Sequence, residues 1–167
     1  MKTSPSALPV IAPKEPRLWL WAWQTLHRGL DALQAPAALL ARLYVAQVFF
    51  LSGLTKLRDW DTTLALFADE YQVPLLPSAW AAVAGTLGEL LLPVLLVLGL
   101  GGRLGALGLS VVNAVAVISL AEIAPAALQQ HITWGVLLAA LAIFGSGAWT
   151  LDRCIAAPVR RWLGLPL

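Results

Sequence analysis

The chain has 167 residues, of which 59% are hydrophobic and only 12% charged, whereas soluble domains average roughly half apolar and about a quarter charged. This composition excludes an ordinary soluble domain and predicts one integral membrane domain. The net charge of +2 is too small to imply a nucleic-acid partner. Cys154 is the single cysteine, so no internal disulfide can form, and no Cys/His spacing suggests a zinc, haem or iron–sulfur site. Any redox cofactor is therefore expected to be diffusible or carried by a partner, with none bound covalently and no metal held.

Residues 1–16 contain Pro5, Pro9, Pro13 and Pro16 and read as a flexible tail. Two of these prolines interrupt the short apolar run after Lys2, so the segment is not expected to be a signal peptide. The next stretch, 17–36, begins "RLWLWAWQTLHRGLDALQ" and places Arg17, Gln24, His27, Arg28, Asp31 and Gln34 on one helical stripe. Trp19, Trp23, Leu26, Leu30 and Leu33 lie largely on the other. Such a helix is expected to lie in the lipid headgroup plane, where indoles concentrate.

Four apolar runs follow, at about 38–57, 79–100, 103–123 and 132–151, each near the ~20 residues that a bilayer core requires. They predict an all-α, integral membrane four-helix bundle over 37–152, with a basic tail at 153–167. Lys2, Lys14, Arg17, Arg28 and Arg42 precede or begin the first run, Arg103 lies between the second and third, and Arg153, Arg160 and Arg161 follow the fourth. By the positive-inside rule both termini are expected in the cytoplasm, with the chain crossing the bacterial inner membrane several times. The longest loop, "RDWDTTLALFADEYQVPLLPS", then faces outward. Asp61 or Thr62 could cap a short helix through Glu70 there, covering the outer mouth of the bundle.

Glu89, in "GTLGELLLPVLL", is the sharpest candidate for chemistry. An ionised carboxylate at mid-bilayer costs at least a few kcal/mol, so such a residue usually faces a bundle interior or cavity; without a partner it is expected to be neutral. Arg42, Ala46, Phe49, Gly53 and Lys56 repeat at helical spacing and share one face of the first run. An Arg42–Glu89 pair is open if the two faces meet, the alternative being that Arg42 snorkels to lipid phosphates. Asn113 and Gln47 lie at similar depth in the third and first runs; Gln47 is roughly 140° from the Arg42 face. Both amides are more naturally interhelical hydrogen-bond partners than ligand contacts. His131 lies at the outer end of the fourth run. With Asp59, Asp61, Asp69 and Glu70 it offers only a weak divalent-cation set, because the spacing matches no metal loop.

"ARLYVAQVFFLSGLTKLRD" resembles the first helix of DoxX-family membrane proteins, ending in the Gly-x-x-Lys formed by Gly53 and Lys56. "GTLGELLLPVLLVLGLGGRLGALGL" resembles that family's second helix with its acidic residue and glycine-rich turn, and "WTLD" near Asp152 continues the likeness, which covers about 38–152. The resemblance implies a compact four-helix membrane protein. The family takes its name from a subunit of an archaeal thiosulfate:quinone oxidoreductase. The stretch through "EYQVPLLP" is also similar to DoxX proteins encoded in bacterial gene clusters for metal-responsive modified peptides.

Three functional expectations stand together, and whether the chain catalyses anything is left open among them. The first is a small accessory or scaffold subunit of a redox or metal-stress membrane system, with the lipid bilayer, a protein partner or a homo-oligomer as its contacts. The second is a quinone-binding subunit of an oxidoreductase, with a polar groove of Arg42, Lys56, Glu89 and Asn113, walls of Phe49, Phe50 and Trp80, and a proton-active Glu89. The third is a small transporter component, which four helices could form only with further copies or subunits.

Overall fold

A computed structural model describes residues 17–101 and 103–155. The described chain is helical, in the order α1 (Arg17–Arg58), α2 (Trp60–Asp69), α3 (Ser78–Leu98), α4 (Leu104–Ile118) and α5 (Pro125–Phe144). Three of these, α1, α3 and α5, are long and apolar enough to cross a membrane, while α4 is apolar but shorter. The expected tail at 1–16 and nearly all of the basic tail at 153–167 lie outside the described residues.

The chain divides into two units, up to Leu33 and from Gln34 onward. In the first, the expected interfacial segment belongs to α1 rather than forming an element of its own, with Pro36 inside the same helix. Its side chains from 18 to 33 are exposed, Trp19, Trp21 and Trp23 among them. The Trp23 and His27 rings lie 4.2 Å apart, one turn along the helix.

In the second unit α3 packs on both α2 and α4, and α4 on α5. The core joins Val45 and Phe49 of α1 with Leu96 of α3, Ala106 and Leu109 of α4, and Leu138 and Leu141 of α5. Small residues let the helices approach closely, as is usual where lipid offers no hydrophobic drive for association. A Cβ on Gly53 would stand 2.9 Å from Leu90, and one on Gly105 3.1 Å from the Leu96 backbone.

Two of the expected spans shift. The third, expected over 103–123, ends at Ile118, where Ser119 turns its hydroxyl back to the Val115 carbonyl. Leu120 then forms a bridge with Tyr71. The fourth, expected over 132–151, starts at Pro125, whose fixed φ and missing N–H suit a first helical turn. It stops at Phe144 because Gly145 (φ 90°) leaves helical geometry. The expected loop helix is present as α2, but its cap is Asp59 rather than Asp61 or Thr62. The Asp59 carboxylate accepts the Thr62 N–H at 3.0 Å and the Thr62 hydroxyl at 2.7 Å.

Candidate functional site

α2 and the segment after it cover one end of the bundle. Beneath them lies a cavity of about 360 Å³ between α1, α3, α4 and the start of α5. Phe67 and Tyr71 form an aromatic wall, their rings 5.0 Å apart, and Val111, Val112 and Val115 of α4 supply an aliphatic one. Gly85 of α3 opens the space, its missing side chain facing the Phe67 ring.

Among the described residues, six polar side chains line the cavity: Ser52, Lys56, Tyr71, Glu89, Ser119 and His131. Glu89 is 8% exposed and accepts two hydrogen bonds from Lys56 Nζ, at 2.9 Å to Oε1 and 2.6 Å to Oε2. The same ammonium donates to Ser52 Oγ at 2.9 Å, one turn back along α1. Its three donors therefore converge on oxygen atoms, and the carboxylate meets a cation where solvent is scarce. Gly53 makes this possible, since a Cβ there would come within 3.1 Å of the Glu89 Cβ.

Across the cavity His131 and Asn113 hold each other. Asn113 Nδ2 donates to the His131 carbonyl at 2.9 Å, which fixes the amide so that Oδ1 accepts from His131 Nδ1 at 2.9 Å. A carboxamide oxygen only accepts, so the ring hydrogen sits on Nδ1 and the neutral ring keeps Nε2 as an acceptor. The Trp134 indole braces the imidazole edge to face at 4.9 Å.

Tyr71 lies outside the membrane-crossing helices. Burial, then the charges of Glu70 and Glu89, raise its phenol above the usual tyrosine range.

This arrangement corrects the sequence-based site in three respects. Glu89 pairs with Lys56, not Arg42. Arg42 is fully buried elsewhere, donating from Nη2 to the Trp149 carbonyl at 2.6 Å, beside the α3–α4 turn, with Nε and Nη1 making no hydrogen bond to described residues. Asn113 enters through His131, the cavity residue that it orients. The expected aromatic walls are also displaced: Phe49 packs on Trp134 in the core, Phe50 lines a separate groove and Trp80 is 68% exposed. Sequence reasoning passed over Ser52, Phe67 and Tyr71 as site residues; Ser52 was detectable as the residue one turn before Lys56. Asp59, Asp61, Asp69, Glu70 and His131 do not converge, and among the described residues no three His, Cys, Asp or Glu side chains group to hold a metal.

Neither a search of curated proteins nor one of solved structures finds a match. The DoxX family model matches residues 37–122, a span that contains α2, α3, α4, both members of the ion pair and Asn113. With that match over more than half of its length, the chain belongs to the DoxX family of membrane proteins.

Proposed function

We propose that this protein is an inner-membrane subunit that binds the head group of a quinone in the cavity beneath α2, with both termini in the cytoplasm. The Lys56–Glu89 pair inside a mostly apolar chamber is the observation that carries the reading. A volume of about 360 Å³ falls within the ~300 to 1,000 Å³ of small-molecule sites, which are mostly apolar with a few oriented polar groups. By giving up its bond to Ser52, Lys56 turns one N–H to a quinone carbonyl, and His131 Nε2 offers an acceptor to a quinol hydroxyl. Reduction of a quinone consumes protons, and Glu89 is the carboxyl group that would relay them. The electrons come from a partner subunit.

The test is binding of a short-chain quinone to the protein in nanodiscs. Lys56→Met removes the cationic donor, and Gly85→Leu fills the chamber. Each is expected to weaken binding about tenfold or more, as loss of a charge-assisted hydrogen bond or of volume does. Affinity unchanged in both variants would refute the site.

One observation favours the accessory reading: the exposed Trp19, Trp21 and Trp23 with Leu26, Leu30 and Leu33 in the first unit, a surface suited to a membrane interface or a partner subunit. Recovery of a stoichiometric partner from mild detergent, lost on Trp-to-Ala substitution but kept in Glu89→Gln, would support it over the quinone site.

A further inference from the structure

Gln47 occupies the middle of the apolar run of α1, yet its amide is exposed and makes no hydrogen bond to any described residue. It sits in a groove of about 510 Å³ that is otherwise apolar, bounded on the α3 side by Pro93 and Val94. Facing lipid, both the donor and the acceptor of that amide would lack partners, which is costly in hydrocarbon.

The neighbours of Gln47 form a pattern. Leu40, Leu43, Gln47, Phe50, Leu54 and Leu57 follow one another at spacings of 3, 4, 3, 4 and 3, the alternation of a coiled-coil seam. Leu40, Leu43, Phe50 and Leu57 are 67%, 43%, 36% and 53% exposed, so the seam faces away from the bundle core. A second, parallel seam carries Arg42, Ala46, Phe49, Gly53 and Lys56 and is spent on internal packing.

We infer that the Leu40–Leu57 seam is the interface of a homodimer, in which α1 of a second copy packs on α1 of the first and the two Gln47 amides hydrogen-bond across a two-fold axis. A lipid chain could fill the groove but would leave the amide unsatisfied. A foreign helix would need an amide at the same depth. A second copy carries one there necessarily, and a carboxamide is complementary to itself, donating from Nε2 and accepting at Oε1 in each direction. One polar residue in an apolar seam is also the usual device for fixing register and oligomer state. This interface lies roughly 110° around α1 from the face that carries Lys56 and does not depend on the quinone reading.

The experiment uses the full chain in a Cys154→Ser background, reconstituted in lipid bilayers. Gln47→Cys is expected to form disulfide-linked dimers on mild oxidation, while Val136→Cys, exposed at mid-depth on α5, remains monomeric. Energy transfer between labelled copies measures the dimer dissociation constant without oxidation. Gln47→Leu is expected to raise it about 3- to 30-fold, the range for interhelical amide bonds of roughly 0.6 to 2 kcal/mol, and Gln47→Asn to recover part of the loss. A monomer at all protein-to-lipid ratios, equal cross-linking through Val136→Cys, or an unchanged constant in Gln47→Leu would each overturn the proposal.

Discussion

Removing Lys56 tests whether the ion pair is structural as well as chemical. In Lys56→Met the side-chain volume is largely kept, but Glu89, with a side chain 11% exposed, loses the donor that meets both of its oxygens. Breaking one side of a buried pair costs about 3 to 5 kcal/mol, whereas replacing both partners by apolar groups is often neutral. At the ~2 to 4 °C per kcal/mol typical of a chain this size, Lys56→Met should lower the melting temperature in detergent by roughly 6 to 20 °C. The double variant Lys56→Met/Glu89→Leu should recover most of that loss, and tryptophan fluorescence on heating reads both. If the double variant melts below either single one, the destabilisation comes from lost packing and the electrostatic argument fails.

Three further outcomes follow from other parts of the fold. Gly99 caps α3 at φ 64°, and a Cβ there would stand 2.6 Å from Thr150 and 2.7 Å from Arg42 Nη1; Gly99→Ala should therefore destabilise by more than the ~1 kcal/mol of an αL penalty alone, seen as a lower melting temperature. Thr86 Oγ1 is buried without a hydrogen-bond partner among the described residues, so Thr86→Val should be neutral or stabilising by up to about 1 to 3 kcal/mol, again by thermal melting. The Tyr71 phenol titrates above its ordinary value because of burial and the acidic charges of Glu70 and Glu89. Its neutral form is favoured in the fold, so that contribution to stability is complete below about pH 10 and is lost as pH rises through the folded value. Absorbance at alkaline pH should show a late-titrating phenol that disappears in Tyr71→Phe.

Much of the bundle was legible because lipid imposes a simple rule, namely that long apolar runs must be helices. Glu89 stood out for the same reason, as a charge with no solvent at its depth. Its partner was less legible because depth was counted from Cα positions. Lys56 lies near the end of α1, but its side chain turns back one turn to Ser52 and reaches Glu89 from above. The boundary of α5 was misplaced by weighting hydropathy over Pro125, a strong start signal. Asp59, rather than the expected Asp61 or Thr62, caps α2 because Thr62 three residues on supplies both donors. The His131–Asn113 pair has no local signature at all. It exists because α4 and α5 run side by side, with Gly135 leaving 3.3 Å between the position of a Cβ and Asn113 Nδ2.

The two cations on one face of α1 show how helix polarity divides the labour of this fold. Long side chains on an α-helix lean toward its N-terminus, so Arg42 and Lys56, 14 residues and ~21 Å apart along the axis, both reach in the same direction. For Arg42 that direction leads away from Glu89 and toward the α3–α4 turn. There it meets the Trp149 carbonyl, while Asp152 accepts the Gly101 N–H at 3.1 Å. For Lys56 it leads inward to the carboxylate. One end of the bundle is thus drawn together by contacts from α1, the α3–α4 turn and the segment after α5. At the other end, α2 and the following segment rest on an apolar cluster around Phe67, on the Thr63 hydroxyl donating to the Lys56 carbonyl at 3.0 Å, on the Tyr71–Leu120 bridge and on a backbone bond from the Gln72 N–H to the Ser119 carbonyl at 2.8 Å. Opening at the α2 end would part an apolar cluster, whereas opening at the turn would expose a buried guanidinium. On the quinone proposal the ligand would enter beneath α2, and the asymmetry originates in the direction in which two side chains leave the same helix.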